Sequence, residues 1–190
     1  MVRIERKTKE TDIKLSLEIN AKGESSIDSG IGFLDHMLES FCKHSLIDME
    51  LSCKGDLEVD FHHSVEDIGI VIGEALKKEI YPVKSIERFA DSTIVMDEAS
   101  VKCALDLSNR AFLYYDVPVF GKIGEFDAEL AEEFFRALVT NASINAHITK
   151  ERGKNKHHIV EATFKAFAVT LRRALYKNDN IGIPSTKGVL

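Results

Sequence analysis

The sequence predicts an α+β fold made by tandem duplication: two small halves, each an antiparallel sheet carrying two helices, packed together as one unit. Three observations predict it. Alternating apolar residues mark a strand at IKLSLEIN, with Ile13, Leu15, Leu17 and Ile19 on one face. The pattern returns 88 residues later in VKCALDLS, as Val101, Cys103, Leu105 and Leu107. Helical periodicity also occurs twice, in FLDHMLESFCK and in AELAEEFFRALVTNA. Finally, HHSVE at residues 62–66 returns as HHIVE at 157–161, an offset of 95.

Each half then reads as strand, helix, strand, histidine motif and helix. The second strands are IDMELSCKG and SINAHITKE, and the last helices are DIGIVIGEALKKEI and EATFKAFAVTLRRAL. The drift from 88 to 95 needs only a few loop residues between elements. The join falls in YPVKSIERFADS, where Pro82 cannot continue a helix. That gives a first repeat over 1–88 and a second over 89–190. A half of about 90 residues buries too little surface to stand alone, so the two are expected to work as one functional unit.

Composition narrows the function. A hydrophobic content of 44% supplies a core, and 29% charged residues suit a solvated surface. The net charge of −6 argues against nucleic acid or an anionic membrane as partner. No apolar run approaches the ~18 residues of a membrane span. The opening MVRIERKTKETDI lacks the apolar stretch of a secretory signal. Cys42, Cys53 and Cys103 are odd in number and form no CxxC pair, which argues against a disulfide framework or zinc ribbon and for a reducing cytoplasm.

Six of the seven histidines fall into two sets. His36, His62 and His63 accompany Glu66; His147, His157 and His158 accompany Glu161. Residues four apart share a helical face, so His62 with Glu66, and His157 with Glu161, can hold one ion each. Adjacent residues diverge by about 100°, so His63 and His158 point elsewhere, and two ions are implied. The expected distribution is His62, Glu66, His147 and His158 on one ion, and His36, His63, His157 and Glu161 on the other. Imidazole with carboxylate and no thiolate suits manganese, iron, cobalt or zinc.

The C-terminal IGIPSTKGVL is rich in turn formers. Its Ser185 and Thr186 hydroxyls and Lys187 cation suit a phosphate. Arg88, Arg110 and Lys165 are further anion-binding candidates, and Lys165 shares a helical face with Glu161. His44 lies outside both sets, and the residues alone make it structural.

The stretches GFLDHML, GDLEVDFHHSVEDIGI, MDEA, DLSNR, GKNKHHIVEATFKA and PSTKGVL, spread from about Glu10 to the C-terminus, resemble the imidazoleglycerol-phosphate dehydratase family. The resemblance implies dehydration of imidazole glycerol phosphate to imidazole acetol phosphate in histidine biosynthesis. It also implies two manganese ions per active site and a 24-subunit homo-oligomeric shell. It puts metal ligands on the same eight positions, with Glu66 and Glu161 also counted as catalytic. It puts a substrate-contacting glutamate, the favoured proton-abstracting base, at Glu10. Phosphate contacts fall on His44, Arg88, Arg110, Lys165, Ser185 and Lys187. The chain departs from the family at Asn109, where a glycine is usual, and at Ser40, where some members have glutamine. Asparagine tolerates the left-handed backbone a glycine supplies, whereas Ser40 is too short to replace a glutamine's reach. Two other readings stand beside this one. A dinuclear metallohydrolase would rely on more aspartates, and a metal-storage protein would not want Arg88, Arg110, Lys165 and Lys187 nearby.

Overall fold

Two four-stranded sheets of identical strand order face each other across four helices in the computed structural model, which describes residues 1–188. Val189 and Leu190, which end the PSTKGVL run, lie outside the described residues. The first sheet comprises β1 (Val2–Lys7), β2 (Thr11–Glu18), β3 (Ser25–Asp28) and β4 (Asp48–Gly55), ordered β1-β2-β4-β3. Helix α1 (Gly32–Ser45) precedes β4, and α2 (His62–Ile80) follows it. The second sheet comprises β5 (Phe89–Met96), β6 (Ala99–Asp106), β7 (Phe112–Asp116) and β10 (Asn145–Arg152), ordered β5-β6-β10-β7. Its helices are α3 (Leu130–Ala142) and α4 (Lys156–Ala174). A two-stranded hairpin, β8 (Lys122–Ile123) with β9 (Phe126–Asp127), belongs to the second half alone.

The expected duplication is present, with one correction to the sheets. Each is antiparallel except at one edge, where β3 runs parallel to β4 and β7 parallel to β10. The cause is connectivity: α1 lies between β3 and β4, and α3 between β7 and β10. A helical crossover returns the chain in its original direction.

The alternating residues Ile13, Leu15 and Leu17 of β2, and Val101, Cys103 and Leu105 of β6, face the helices and are buried. Across the middle, α2 meets α3 and α1 meets α4. Gly69 and Gly73 bring the first pair close. A Cβ on Gly73 would stand 2.5 Å from the Leu138 carbonyl oxygen, and one on Gly69 would stand 2.7 Å from that of Phe134. Side chains such as Phe41 and Phe167, with rings 6.4 Å apart, separate the second pair. Polar groups therefore enter between α1 and the start of α4.

The join also positions the C-terminal run. Ser85 N–H donates to Gly182 O at 2.7 Å, and Asn178 N–H donates to Ser85 O at 2.8 Å. These bonds carry Pro184–Lys187 to Arg88. No helix among the described residues is long and apolar enough to cross a membrane.

Candidate metal centre

Each histidine motif occupies the first turn of a 19-residue helix. Asn155, at the N-cap of α4, accepts from the backbone N–H groups of His157 and His158. Asp60 accepts from His62 N–H at 2.7 Å and does the same work for α2. Short polar side chains satisfy the free amides of a first turn, so they fix where each motif begins its helix.

In the second motif, His157 Nε2 lies 3.0 Å from Glu161 Oε2, and His36 Nε2, from α1, lies 3.6 Å from the same oxygen. Lys165 binds the other oxygen at 2.6 Å. His36, His157 and Glu161 are the group among the described residues whose ligand atoms all lie within 4.8 Å of one another. Burial alone would push the Glu161 carboxyl up. Lys165, His157 and His36 outweigh that and hold it below the usual glutamate value.

The first motif is looser. His62 Nε2 and Glu66 Oε2 stand 3.8 Å apart at the surface. His63 turns its Nδ1 to Asp56, at 3.0 Å, and lies 3.9 Å from Glu10. His158 likewise turns Nδ1 to Glu98, at 2.8 Å. That bond, with donation from the Asn155 and Lys154 backbone, holds Glu98 down at about 2. His147 is on the outer face of β10, away from the helices, between the exposed rings of Phe112 and Tyr114. His36 and His147 are therefore not equivalent: one is on a helix and the other on a strand. The parallel between the two histidine sets stops at the HHxVE runs.

The basic residues form two groups. Arg88, Arg110, Ser185 and Lys187 line an open cleft of about 820 Å³ at the C-terminal run. The Arg88 guanidinium is fixed there by Asp106, at 2.7 and 3.2 Å, and by the Pro184 carbonyl at 2.5 Å. Asn109, beside it, has φ 57°, the left-handed conformation expected of a glycine replacement. Lys165 belongs to the second group, with His44. Burial, and then the nearby Lys165 and Arg172, push the His44 imidazole below its usual value. Ser40 is half-buried on α1, and its Oγ has no hydrogen-bond partner among the described residues.

Sequence reasoning missed Arg172, Asp56 and Glu98. Sequence signals exist for two of them. Arg172 follows Lys165 by seven residues, two turns along one helical face. Glu98 follows Glu10 by 88, the offset that relates β2 to β6.

Two imidazole nitrogens converging on a buried ionised carboxylate form a donor set that fits a divalent transition metal. Fold and site together define a protein of duplicated α+β architecture that carries a donor set for a metal ion. A family model described as imidazoleglycerol-phosphate dehydratase matches residues 29–171. The imidazoleglycerol-phosphate dehydratase of Campylobacter hominis is 65% identical over 190 residues, covering 100% of each chain. That of Sulfurimonas denitrificans is 63% identical over the same span, again 100% of each. The crystal structure of the Staphylococcus aureus imidazoleglycerol-phosphate dehydratase superposes with a TM-score of 0.83 at 38% identity, over 94% of this chain and 100% of that one. IGPD from Pyrococcus furiosus, solved in complex with (S)-C348, gives 0.84 at 36%, over 98% and 100%. The chain belongs to the imidazoleglycerol-phosphate dehydratase family, and is a hydro-lyase of histidine biosynthesis.

Proposed function

We propose that the chain removes water from D-erythro-imidazole glycerol phosphate to give imidazole acetol phosphate, at a site built for two manganese ions. The observation that carries this is the convergence of His36, His157 and Glu161, with Lys165 attached to the same carboxylate. A metal donor set thus adjoins a basic corner, as a phosphorylated imidazole requires.

The reaction must take a proton from a carbon with no adjacent carbonyl. When bound, the two ions would supply the charge that makes the substrate's imidazole acidic. Loss of the ring N–H proton and of the hydroxyl on the ring-attached carbon, together one water, would leave a conjugated diazafulvene, and conjugation acidifies the next carbon. Glu10, exposed in the β1–β2 turn beside His63, takes that proton, and the resulting enol becomes the ketone. His44, Arg88, Arg110, Lys165, Ser185 and Lys187 hold the phosphate, so binding energy far from the reacting carbons fixes their position.

The ligand set is His36, His62, His63, Glu66, His147, His157, His158 and Glu161, and the functional unit is both repeats, 1–88 and 89–190. His147 faces away from the helix layer that carries the other seven, so ligands are shared between chains. Assembly into a homo-oligomer, 24 subunits by family resemblance, completes the site. Buried, unpaired Cys42, Cys53 and Cys103 suit work in the cytoplasm. The test is to incubate manganese-loaded protein with imidazole glycerol phosphate. Ketone formation is the expected result. Release of inorganic phosphate would instead identify a hydrolase, and absence of turnover a metal-storage protein.

A further inference from the structure

The second histidine of each motif is held by a carboxylate from outside its helix, and the two carboxylates occupy different places in the repeat. Asp56 follows β4 directly and meets His63 Nδ1 with both oxygens, at 3.0 and 3.2 Å. The residue that follows β10 directly is Gly153, which has no side chain to offer. A Cβ there would stand 3.0 Å from the Ala99 Cβ, so the glycine lets the β5–β6 turn close over the start of α4. That turn carries Glu98, whose Oε2 meets His158 Nδ1 at 2.8 Å.

Glu98 has its own counterpart in the first half. β2 begins at Thr11 and β6 at Ala99, so Glu10 and Glu98 each immediately precede the second strand of a sheet. Glu10 stays 3.9 Å from His63, because Asp56 already occupies Nδ1. The two halves therefore solve one problem with different residues.

We propose that Asp56 and Glu98 are positioning residues that fix the Nδ1–H tautomer of His63 and His158 and turn each Nε2 outward as a metal ligand, and that Asp56 thereby releases Glu10 for proton transfer. The inference rests on the reading of His63 and His158 as ligands. An ionised carboxylate can only accept, so a neutral imidazole facing it carries its proton on Nδ1 and its lone pair on Nε2. Around His158 Nε2 stand Asn155 Nδ2, at 3.4 Å, whose amide oxygen is committed to the His157 and His158 backbone, and Asp97 Oδ2, at 3.7 Å; a bound ion would displace both contacts.

Glu98→Gln separates this role from a merely structural one. Glu98 Oε1 accepts from Asn155 N–H at 2.7 Å and from Lys154 N–H at 3.1 Å. Those donors pin a glutamine with its oxygen in that place and its amide N–H toward His158. The amide then donates to Nδ1 and drives the proton onto Nε2, the ligating atom, while the loop keeps its bonds. In Asp56→Asn nothing pins the amide among the described residues, so its oxygen can still accept from His63.

Manganese retention by the loaded protein against a graded competing chelator should weaken about 10- to 100-fold in Glu98→Gln, and less in Asp56→Asn. Nitrogen-15 histidine spectra of the metal-free full chain should show the His158 proton moving from Nδ1 to Nε2 in Glu98→Gln. Wild-type retention and an unchanged tautomer in that variant would overturn the positioning role. His158→Ala checks the reading beneath it: normal manganese retention there would remove His158 as a ligand, and the role assigned to Glu98 with it.

Discussion

Glu161 and Glu66 close the same five-residue motif at the start of two helices of equal length, yet their surroundings differ. The Glu161 side chain is 7% exposed and touches His157, His36 and Lys165. The Glu66 side chain is 48% exposed and stands 3.8 Å from His62. Part of the difference is local: the residue four beyond Glu161 is Lys165, whereas four beyond Glu66 is Ile70. The rest is tertiary. Helix α4 packs on α1, which brings His36, while α2 packs through its glycines on α3, which has no histidine. Duplication copied a helix and its ligands, and the neighbour across the interface decided how tightly each copy is held.

The largest effect should come from treating both motifs alike, by removing the metal. If ions join ligands from different chains, each ion is also a cross-link, and its loss favours the dissociated form. Ligation needs neutral imidazoles, so lowering the pH to about 5, below the usual histidine value of ~6.5, should act like a chelator. Light scattering on a sizing column should show a smaller particle in either condition and recovery when Mn²⁺ is added at neutral pH. An unchanged large mass in metal-free protein would mean that the ions do not hold the assembly.

Next in size is the chemistry beside the open motif. Glu10→Gln should keep its manganese and bind substrate, yet lose about 10²- to 10⁴-fold in kcat. Lys187→Ala, in the cleft at the C-terminal run, should raise KM instead. Wild-type kcat in Glu10→Gln would send the search for the base elsewhere.

The two glutamates then sharpen the contrast directly. Glu161→Gln should cost about a hundredfold in activity together with manganese content, and about 2 kcal/mol of stability in metal-free protein, because Lys165 loses a charged partner. The folded-state pKa of Glu161 is lowered, so that stability is present above the usual glutamate value of ~4.3 and fades as pH falls through the folded value. Denaturant melts of the variant and wild type at neutral and acid pH check both parts. Glu66→Gln should be the mildest, about tenfold in activity and within ~0.5 kcal/mol in stability, as surface substitutions are. A loss of stability equal to that of Glu161→Gln would erase the distinction.

Much of the fold was legible because its elements are periodic. Strands β2, β4, β6 and β10 and all four helices announce themselves by alternation or helical spacing. The edge strands do not: in β1, VRIERK, Ile4 alone is buried, so its charges read as a loop. The parallel edges were hidden for another reason, since pairing direction depends on what lies between strands. In the site, His157 and Glu161 could be paired from spacing. Asp56 could not, because an aspartate in a turn has many structural uses. Glu98 could be flagged by its offset from Glu10 but not paired with His158, which it reaches across 60 residues through a turn that closes over Gly153.

By itself the sequence determined the duplication, the placement of both histidine motifs and the residue types from which a metal centre can be made. These depend on residues a turn or less apart, or on a copied pattern, and backbone geometry fixes such relations locally. The tertiary structure decided which carboxylate is buried, which histidine nitrogen faces an acid and which face of the second sheet displays His147. Those outcomes depend on which surfaces meet when the two halves pack, and a group's charge and orientation follow from the neighbours that replace its water.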